Sequence, residues 1–213
     1  EDLLLSGTDA VALGALAGGC DSVFAYPMTP GTGVLTAMAN FSKHFDIVVE
    51  QAEDEIAAIN MALGSWYAGG RAMVTTSEGG FALMEEGLSL AGMIESPAVI
   101  HLGQRPAPAT GLPTRTAQEA LNLVIHAGHG EFPRIVYAPG TLEQAFYLTQ
   151  KAFNMADKYQ VPIFILTDQF FVDSYSNVKK FDLSDIKIEK HFVETDEDYK
   201  RYDLSKAVKG VSP

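Results

Sequence analysis

Short apolar runs alternate along the chain with longer stretches of helical character. Ser22 to Tyr26, Asp46 to Glu50, Arg71 to Thr76, Pro97 to Leu102, Arg134 to Tyr137 and Pro162 to Leu166 read as strands. Their near-continuous apolar character suits strands covered on both faces. Between them, six stretches read as helices. These are Ala10 to Ala17 (capped by Ser6-Gly7-Thr8-Asp9 and closed by Gly18-Gly19), Leu35 to Phe41, about Glu53 to Ala68, Phe81 onward, Ala117 to Ala127, and about Thr141 to Tyr159. This rhythm predicts an α/β fold, a mostly parallel open sheet with helices on both faces. A long Pro/Gly/Thr loop runs from Gly103 to about Thr116. After about Ser176 the pattern changes to charged residues in short alternation, with an acidic run at Thr195-Asp196-Glu197-Asp198. One α/β domain is expected over 1–176, and a charged linker or surface-lying tail over 177–213 leading toward a further C-terminal domain.

Composition narrows the function. A chain of 213 residues fits one domain, and its formal net charge of -12 argues against nucleic acid and against an anionic membrane surface. Cys20 is the one cysteine. An internal disulfide, an iron–sulfur cluster held by four thiolates of this chain, and a cysteine-ligated structural zinc are therefore excluded. No apolar stretch is long enough to span a bilayer, and no basic segment precedes a signal-like apolar one. A cytoplasmic location is expected. The chain opens at Glu1 and stops at Val211-Ser212-Pro213, which reads as a piece of something longer.

Candidate chemistry gathers where strands end. In an open α/β sheet, ligands bind outside the carboxyl ends of the strands. Glu50-Gln51-Ala52-Glu53-Asp54-Glu55 falls at such a junction, between a strand and an alanine-rich helix. Glu53 is the candidate acid: burial would oppose its charged form and the helix N-terminus would favour it. The alternative is that these acids only complement the helix dipole. Tyr26-Pro27-Met28-Thr29-Pro30-Gly31-Thr32 is a strand exit stiffened by two prolines, offering the hydroxyls of Thr29 and Thr32. Thr75-Thr76-Ser77-Glu78-Gly79-Gly80 is a glycine turn that is neither a P-loop nor a dinucleotide fingerprint. It serves either close backbone approach to a ligand or tight strand–helix packing. Arg105 directly follows a strand, where a guanidinium suits bidentate capture of a carboxylate; the alternative is a structural ion pair. Arg115 lies farther along the same loop. His126, His129 and Glu131 imitate a metal site, but glycines on both sides of His129 argue against a rigid ligand array, so no metal site is expected. No G-x-S-x-G elbow supports a serine nucleophile.

Taken in order, four segments carry a resemblance. They are Tyr26-Pro27-Met28-Thr29-Pro30; Gln51 to Ala62; Gln104-Arg105-Pro106 with Gly111 to Gln118; and Gly128-His129-Gly130-Glu131-Phe132-Pro133. The chain resembles, from about Ser6 to Tyr175, the alpha subunit of 2-oxoacid:ferredoxin oxidoreductases, most closely the 2-oxoglutarate type. The resemblance implies the pyrimidine-binding domain of a thiamine diphosphate enzyme. It implies that Glu53 hydrogen-bonds N1′ of the aminopyrimidine, that Ser77 and Gly79 also contact the cofactor, and that Thr29 and Arg105 hold the substrate's 2-oxo-carboxylate. It implies oxidative decarboxylation of a 2-oxoacid, with acyl transfer to coenzyme A and electrons passed to ferredoxin. The diphosphate-binding domain, Mg2+ and [4Fe-4S] clusters would lie on a partner beta subunit, giving a hetero-oligomer whose isolated alpha fragment is inactive. One departure stands out: the family often has Thr-Ser-Gly-Pro-Gly where this chain has Thr76-Ser77-Glu78-Gly79-Gly80. Two other readings compete, a thiamine-dependent decarboxylase domain without ferredoxin and a non-catalytic α/β binding module.

Overall fold

The computed structural model describes residues 2–192 and 197–202. The acidic run expected at Thr195 to Asp198 lies partly outside the described residues, and Val211 to Pro213 wholly so.

Six strands form one all-parallel sheet in the order β3-β2-β4-β5-β7-β6. They are β2 (Ser22–Ala25), β3 (Val48–Gln51), β4 (Ala72–Thr76), β5 (Ala98–Gln104), β6 (Ile135–Tyr137) and β7 (Pro162–Asp168). The two middle strands β4 and β5 are buried at every residue, as their unbroken apolar runs require. β3 and β6 form the edges and are correspondingly short and more exposed. A separate antiparallel pair joins β1 (Asp2–Ser6) to β8 (Tyr175–Lys179), with Asp2 opposite Lys179. The sequence pattern did not announce this pair, and β8 straddles the position where the domain was expected to end.

Helices cover both faces. α1 (Gly7–Ala17), α2 (Thr32–Phe41) and α7 (Leu142–Tyr159) lie on one, with α1 packed on both α2 and α7. On the other, α3 (Glu55–Tyr67) packs on α4 (Glu78–Leu83) and α5 (Glu85–Met93). Right-handed crossovers explain the division, because the chain reverses direction across the sheet after β3 and again after β6. The short α6 (Leu121–His126) occupies only the second half of the helix expected from Ala117, and α8 (Gln169–Asp173) follows β7.

Local chemistry starts these helices where the sequence suggests. Ser6 caps α1 in a reciprocal box: its Oγ accepts from the Asp9 N–H, and the Asp9 carboxylate accepts from the Ser6 N–H at 2.9 Å. Asp54 and Thr141 cap α3 and α7 in the same sense. Ser77-Glu78-Gly79-Gly80 differs from its expected turn: Glu78, Gly79 and Gly80 form the first turn of α4. Gly80 has to be glycine there, since a Cβ would lie 2.7 Å from the Glu55 carboxylate.

Past β8 the charged segment lies on α7. Lys187 O accepts from Gln150 Nε2 (3.0 Å) and Asn154 Nδ2 (2.8 Å), and the His191 N–H donates to Asp157 Oδ1 (2.9 Å). Arg71, fully buried at the amino end of β4, anchors both layers: Nη2 donates to Asn154 Oδ1 (2.8 Å), and Nη1 donates to Glu189 O (3.0 Å) and Asp157 Oδ2 (3.4 Å).

Candidate functional site

The chain crosses from β2 outward to β3 and then returns past β2 to β4. That reversal marks the switch point between β2 and β4, and α/β sheets bind ligands outside the carboxyl ends of their strands at such a point; a separate cavity lined by Gln104, Leu121, Ala138, Leu166 and Asp168 opens farther along the same edge, at β5, β6 and β7. Three segments meet at the switch point: Tyr26 to Gly31 after β2, the start of α3 after β3, and the start of α4 after β4. They approach closely. A Cβ on Gly31 would sit 2.7 Å from Thr76 O, and the Gly80 N–H donates to Met28 Sδ at 3.1 Å.

A buried polar chain beneath the switch point holds the first segment in place. Thr75 Oγ1 on β4 donates to Gly31 O (2.9 Å) and meets His101 Nδ1 on β5 (2.8 Å); His101 Nε2 meets Thr167 Oγ1 on β7 (2.9 Å). The hydroxyl proton of Thr75 is committed to Gly31, so Nδ1 carries the imidazole proton and Nε2 accepts from Thr167. Full burial holds the imidazole neutral, with its pKa lowered to about 4. The proline-stiffened loop is thus tied to three strands at once.

Thr29 and Arg105 are brought together: Arg105 Nη1 donates to Thr29 O at 2.6 Å. Arg105 is only 5% exposed, yet among the described residues no carboxylate stands within ion-pair distance of its guanidinium. Its backbone N–H is gripped by Glu78, whose Oε1 and Oε2 accept it at 3.0 and 3.1 Å. Burial pushes the Glu78 carboxyl above its ordinary range, while backbone hydrogen bonds and the Arg105 charge pull it back. Arg115 is exposed, and its guanidinium bonds only its neighbour Thr114 among the described residues, so it stays outside this cluster.

The acids after β3 separate sharply. Glu53 is exposed and makes no side-chain hydrogen bond among the described residues. Glu55, two residues on, is 3% exposed at the first turn of α3, and its Oε1 is buried without a partner. Ser77, cap residue of α4, is fully buried and its Oγ also lacks a partner. Gly79 sits in the same turn with room around it; a Cβ there would come no closer than 3.4 Å to any atom. Unpartnered buried polar atoms are uncommon in folded proteins, and two of those among the described residues, Glu55 Oε1 and Ser77 Oγ, start neighbouring helices on this rim; the others are Arg71 Nε, Thr149 Oγ1 and Gln169 Oε1. Burial thus separates Glu55 from Glu53, the acid expected from its place after the strand. The available signal was periodic: Glu55, Ala58, Ile59, Ala62, Leu63 and Trp66 form the buried stripe of α3, and Glu55 begins it.

The histidine loop is elsewhere. His129 Nε2 pairs with Glu86 Oε2 at 2.8 Å, both largely exposed, and no group of three metal-ligating side chains occurs among the described residues.

An all-parallel sheet covered by helices on both faces, with a buried acid and a buried guanidinium at the carboxyl edge, defines the class as an open α/β domain. The comparisons make this particular. The family described as "Pyruvate flavodoxin/ferredoxin oxidoreductase, thiamine diP-bdg" matches residues 13–210, and the chain belongs to that family. It is 43% identical to the 2-oxoacid:ferredoxin oxidoreductase 1 alpha subunit of Sulfurisphaera tokodaii, over 98% of this chain and 36% of that protein. It is 38% identical to the 2-oxoglutarate synthase subunit KorA of Archaeoglobus fulgidus, over 78% of this chain and 48% of the relative. Its fold matches a 2-oxoglutarate:ferredoxin oxidoreductase from Magnetococcus marinus, solved with 2-oxoglutarate, coenzyme A and succinyl-CoA bound. The TM-score is 0.87 and the identity 38%, over 94% of this chain and 35% of that one. The chain therefore spans roughly a third to a half of the length of these relatives. The expected family and the expected parallel α/β fold both hold.

Proposed function

We propose that this chain is the pyrimidine-binding part of the alpha subunit of a 2-oxoacid:ferredoxin oxidoreductase, acting on a 2-oxoacid such as 2-oxoglutarate. The observation that carries the reading is the buried, unpartnered carboxylate oxygen of Glu55 beside Gly80, at the carboxyl edge of the sheet. An acid so placed would fit the ring nitrogen of an aminopyrimidine: the carboxylic acid would give its proton to that nitrogen, and the carboxylate left would accept a hydrogen bond from the protonated ring. Glu55 therefore takes the role that the resemblance first suggested for Glu53. Ser77 Oγ, also without a partner, and the open backbone at Gly79 would hold the same ring. Thiamine diphosphate, when bound, supplies the nucleophile and electron sink for decarboxylation. The chain's own residues orient and charge-match the substrate: the free donors of Arg105 take the carboxylate, and the Thr29 segment, locked through Gly31, Thr75 and His101, frames it.

The diphosphate half of the site, with Mg2+ and the [4Fe-4S] clusters, belongs in this reading to a beta subunit, with coenzyme A and ferredoxin as the later reactants. Exposed Tyr26, Ile56 and Leu83, on the segments that follow β2, β3 and β4, support a face that a partner covers. In the complete enzyme, assayed with a 2-oxoacid, coenzyme A and a viologen acceptor, Glu55→Gln is expected to lower kcat by about 10²–10⁴-fold. Glu53→Gln should change it less than about threefold, as befits an exposed side chain. The reverse order would return the role to Glu53, and full activity in both would remove the acid from the mechanism. The isolated chain should bind thiamine diphosphate weakly or not at all by calorimetry.

A further inference from the structure

From the geometry of α4 and β5 we infer that Glu78 sets the substrate range of this site, by offsetting the positive field of Arg105 so that doubly charged 2-oxoacids lose their advantage over singly charged ones. The inference rests on the function proposed above and concerns a residue given no role there.

The arrangement is specific. Glu78 is 6% exposed, and both its oxygens are turned onto the Arg105 N–H. The carboxylate is therefore held at the base of the arginine rather than clasping its guanidinium. The two side chains are near enough for their charges to act on one another, yet no ion pair forms. The guanidinium keeps its free donors for a substrate carboxylate while its field is reduced by a fixed negative neighbour. Geometry for capture and net charge for attraction are thereby separated. Hydrogen bonding to the 1-carboxylate is common to every 2-oxoacid. The field acts on total charge, so a substrate with a second carboxylate loses more from the presence of Glu78 than a substrate without one. Glu119 adds to the negative field, but it lies at the exposed end of the loop, where its Oε2 accepts the Ala107 N–H at 3.3 Å, and solvent screens it.

The test uses the complete enzyme, reconstituted from full-length alpha subunit and its partner. kcat and KM are measured for 2-oxoglutarate and for pyruvate, in wild type, Glu78→Gln and Glu78→Ala. Glutamine keeps an acceptor for the Arg105 N–H and removes the charge; alanine removes both. The inference expects the kcat/KM ratio of 2-oxoglutarate to pyruvate to rise about fivefold in both variants, through KM, the size of one charge acting across a half-solvated rim. The ratio is internal to each preparation, so a lower yield of assembled enzyme does not disturb it. A ratio within twofold of wild type in Glu78→Gln overturns the inference, even if Glu78→Ala shifts it, since Glu78 would then only anchor backbone. Wild-type enzyme that turns over neither acid nor any other 2-oxoacid overturns the proposed function and this inference with it.

Discussion

Two arginines are buried in this domain, at opposite edges of one sheet, and they are partnered in opposite ways. Arg71 precedes β4 at the amino edge and is 2% exposed. Its guanidinium is taken up by Asn154, Asp157 and the Glu189 carbonyl, which join β4, α7 and the segment beyond β8. Arg105 follows β5 at the carboxyl edge and is 5% exposed. Its guanidinium donates to Thr29 O alone among the described residues, and its nearby carboxylate binds its backbone instead. Equal burial thus accompanies different uses. Among the described residues neither guanidinium has all its donors paired within the fold, the Arg71 Nε being buried without a partner; but Arg71 is enclosed among three internal acceptors in the interior, whereas Arg105 stands at the carboxyl edge, where an acceptor from outside can reach it.

Substituting each arginine by methionine is the strongest way to break this contrast. Arg71→Met strands Asp157 and Asn154 in the interior, and unfolding by urea should show a loss of about 3–5 kcal/mol. Arg105→Met removes one guanidinium hydrogen bond within the fold, so stability should fall by only about 1 kcal/mol. In the complete enzyme Arg105→Met should lower kcat/KM for the 2-oxoacid by about a hundredfold, the worth of a charge-assisted carboxylate contact. Equal stability losses would show that Arg105 is as structural as Arg71.

The polar chain under the switch point sharpens the comparison by pH. His101 has a folded pKa of about 4, below its ordinary 6.5, because burial opposes the charged ring. Between those values the unfolded chain binds a proton that the folded chain does not. Its contribution is therefore present above pH 6.5 and is lost as pH falls through 4. Across that window the wild type should lose about 3 kcal/mol that His101→Gln does not lose. Parallel pH profiles for the two proteins would place the imidazole outside the acid-sensitive set.

The parallel sheet was legible because its strands are continuous apolar runs separated by capped helices; Ser6 with Asp9, and Thr141, announce helix starts in single residues. The β1–β8 pair was not, because a five-residue strand such as Asp2–Ser6 shows no pattern of its own and its partner lies at the far end of the chain. Gly79-Gly80 suggests a turn on local preference, whereas both lie in the first turn of α4, and at Gly80 the glycine answers to the lack of room for a Cβ between Thr76 and Glu55. The meeting of Thr29 with Arg105 follows from the strand-end position of each. Glu53 stands out in the sequence for its nearness to the strand, whereas the burial of Glu55 belongs to one face of α3, a property of the whole helix. The grip of Glu78 on Arg105 joins residues 27 positions apart, and local sequence carries no trace of it.

Glu78 offers the smallest expected effect and the sharpest distinction between the two edges. Asp157 faces its arginine head-on, whereas Glu78 is buried against the backbone of its own. Burial outweighs the favourable contacts and raises the Glu78 carboxyl above its ordinary range. The folded chain then holds this proton more tightly than the unfolded chain does. The contribution of Glu78 is fully present below the ordinary carboxylate range and is lost as pH rises through its folded value. At about pH 8 the ionised group is thus a burden on the fold, and Glu78→Gln should melt at a higher temperature than wild type; at about pH 4 the gap should close. A glutamine that lowers the melting temperature at about pH 8 would mean that the ionised carboxylate stabilises the fold, and Arg105 would then resemble Arg71 after all, an arginine balanced from within.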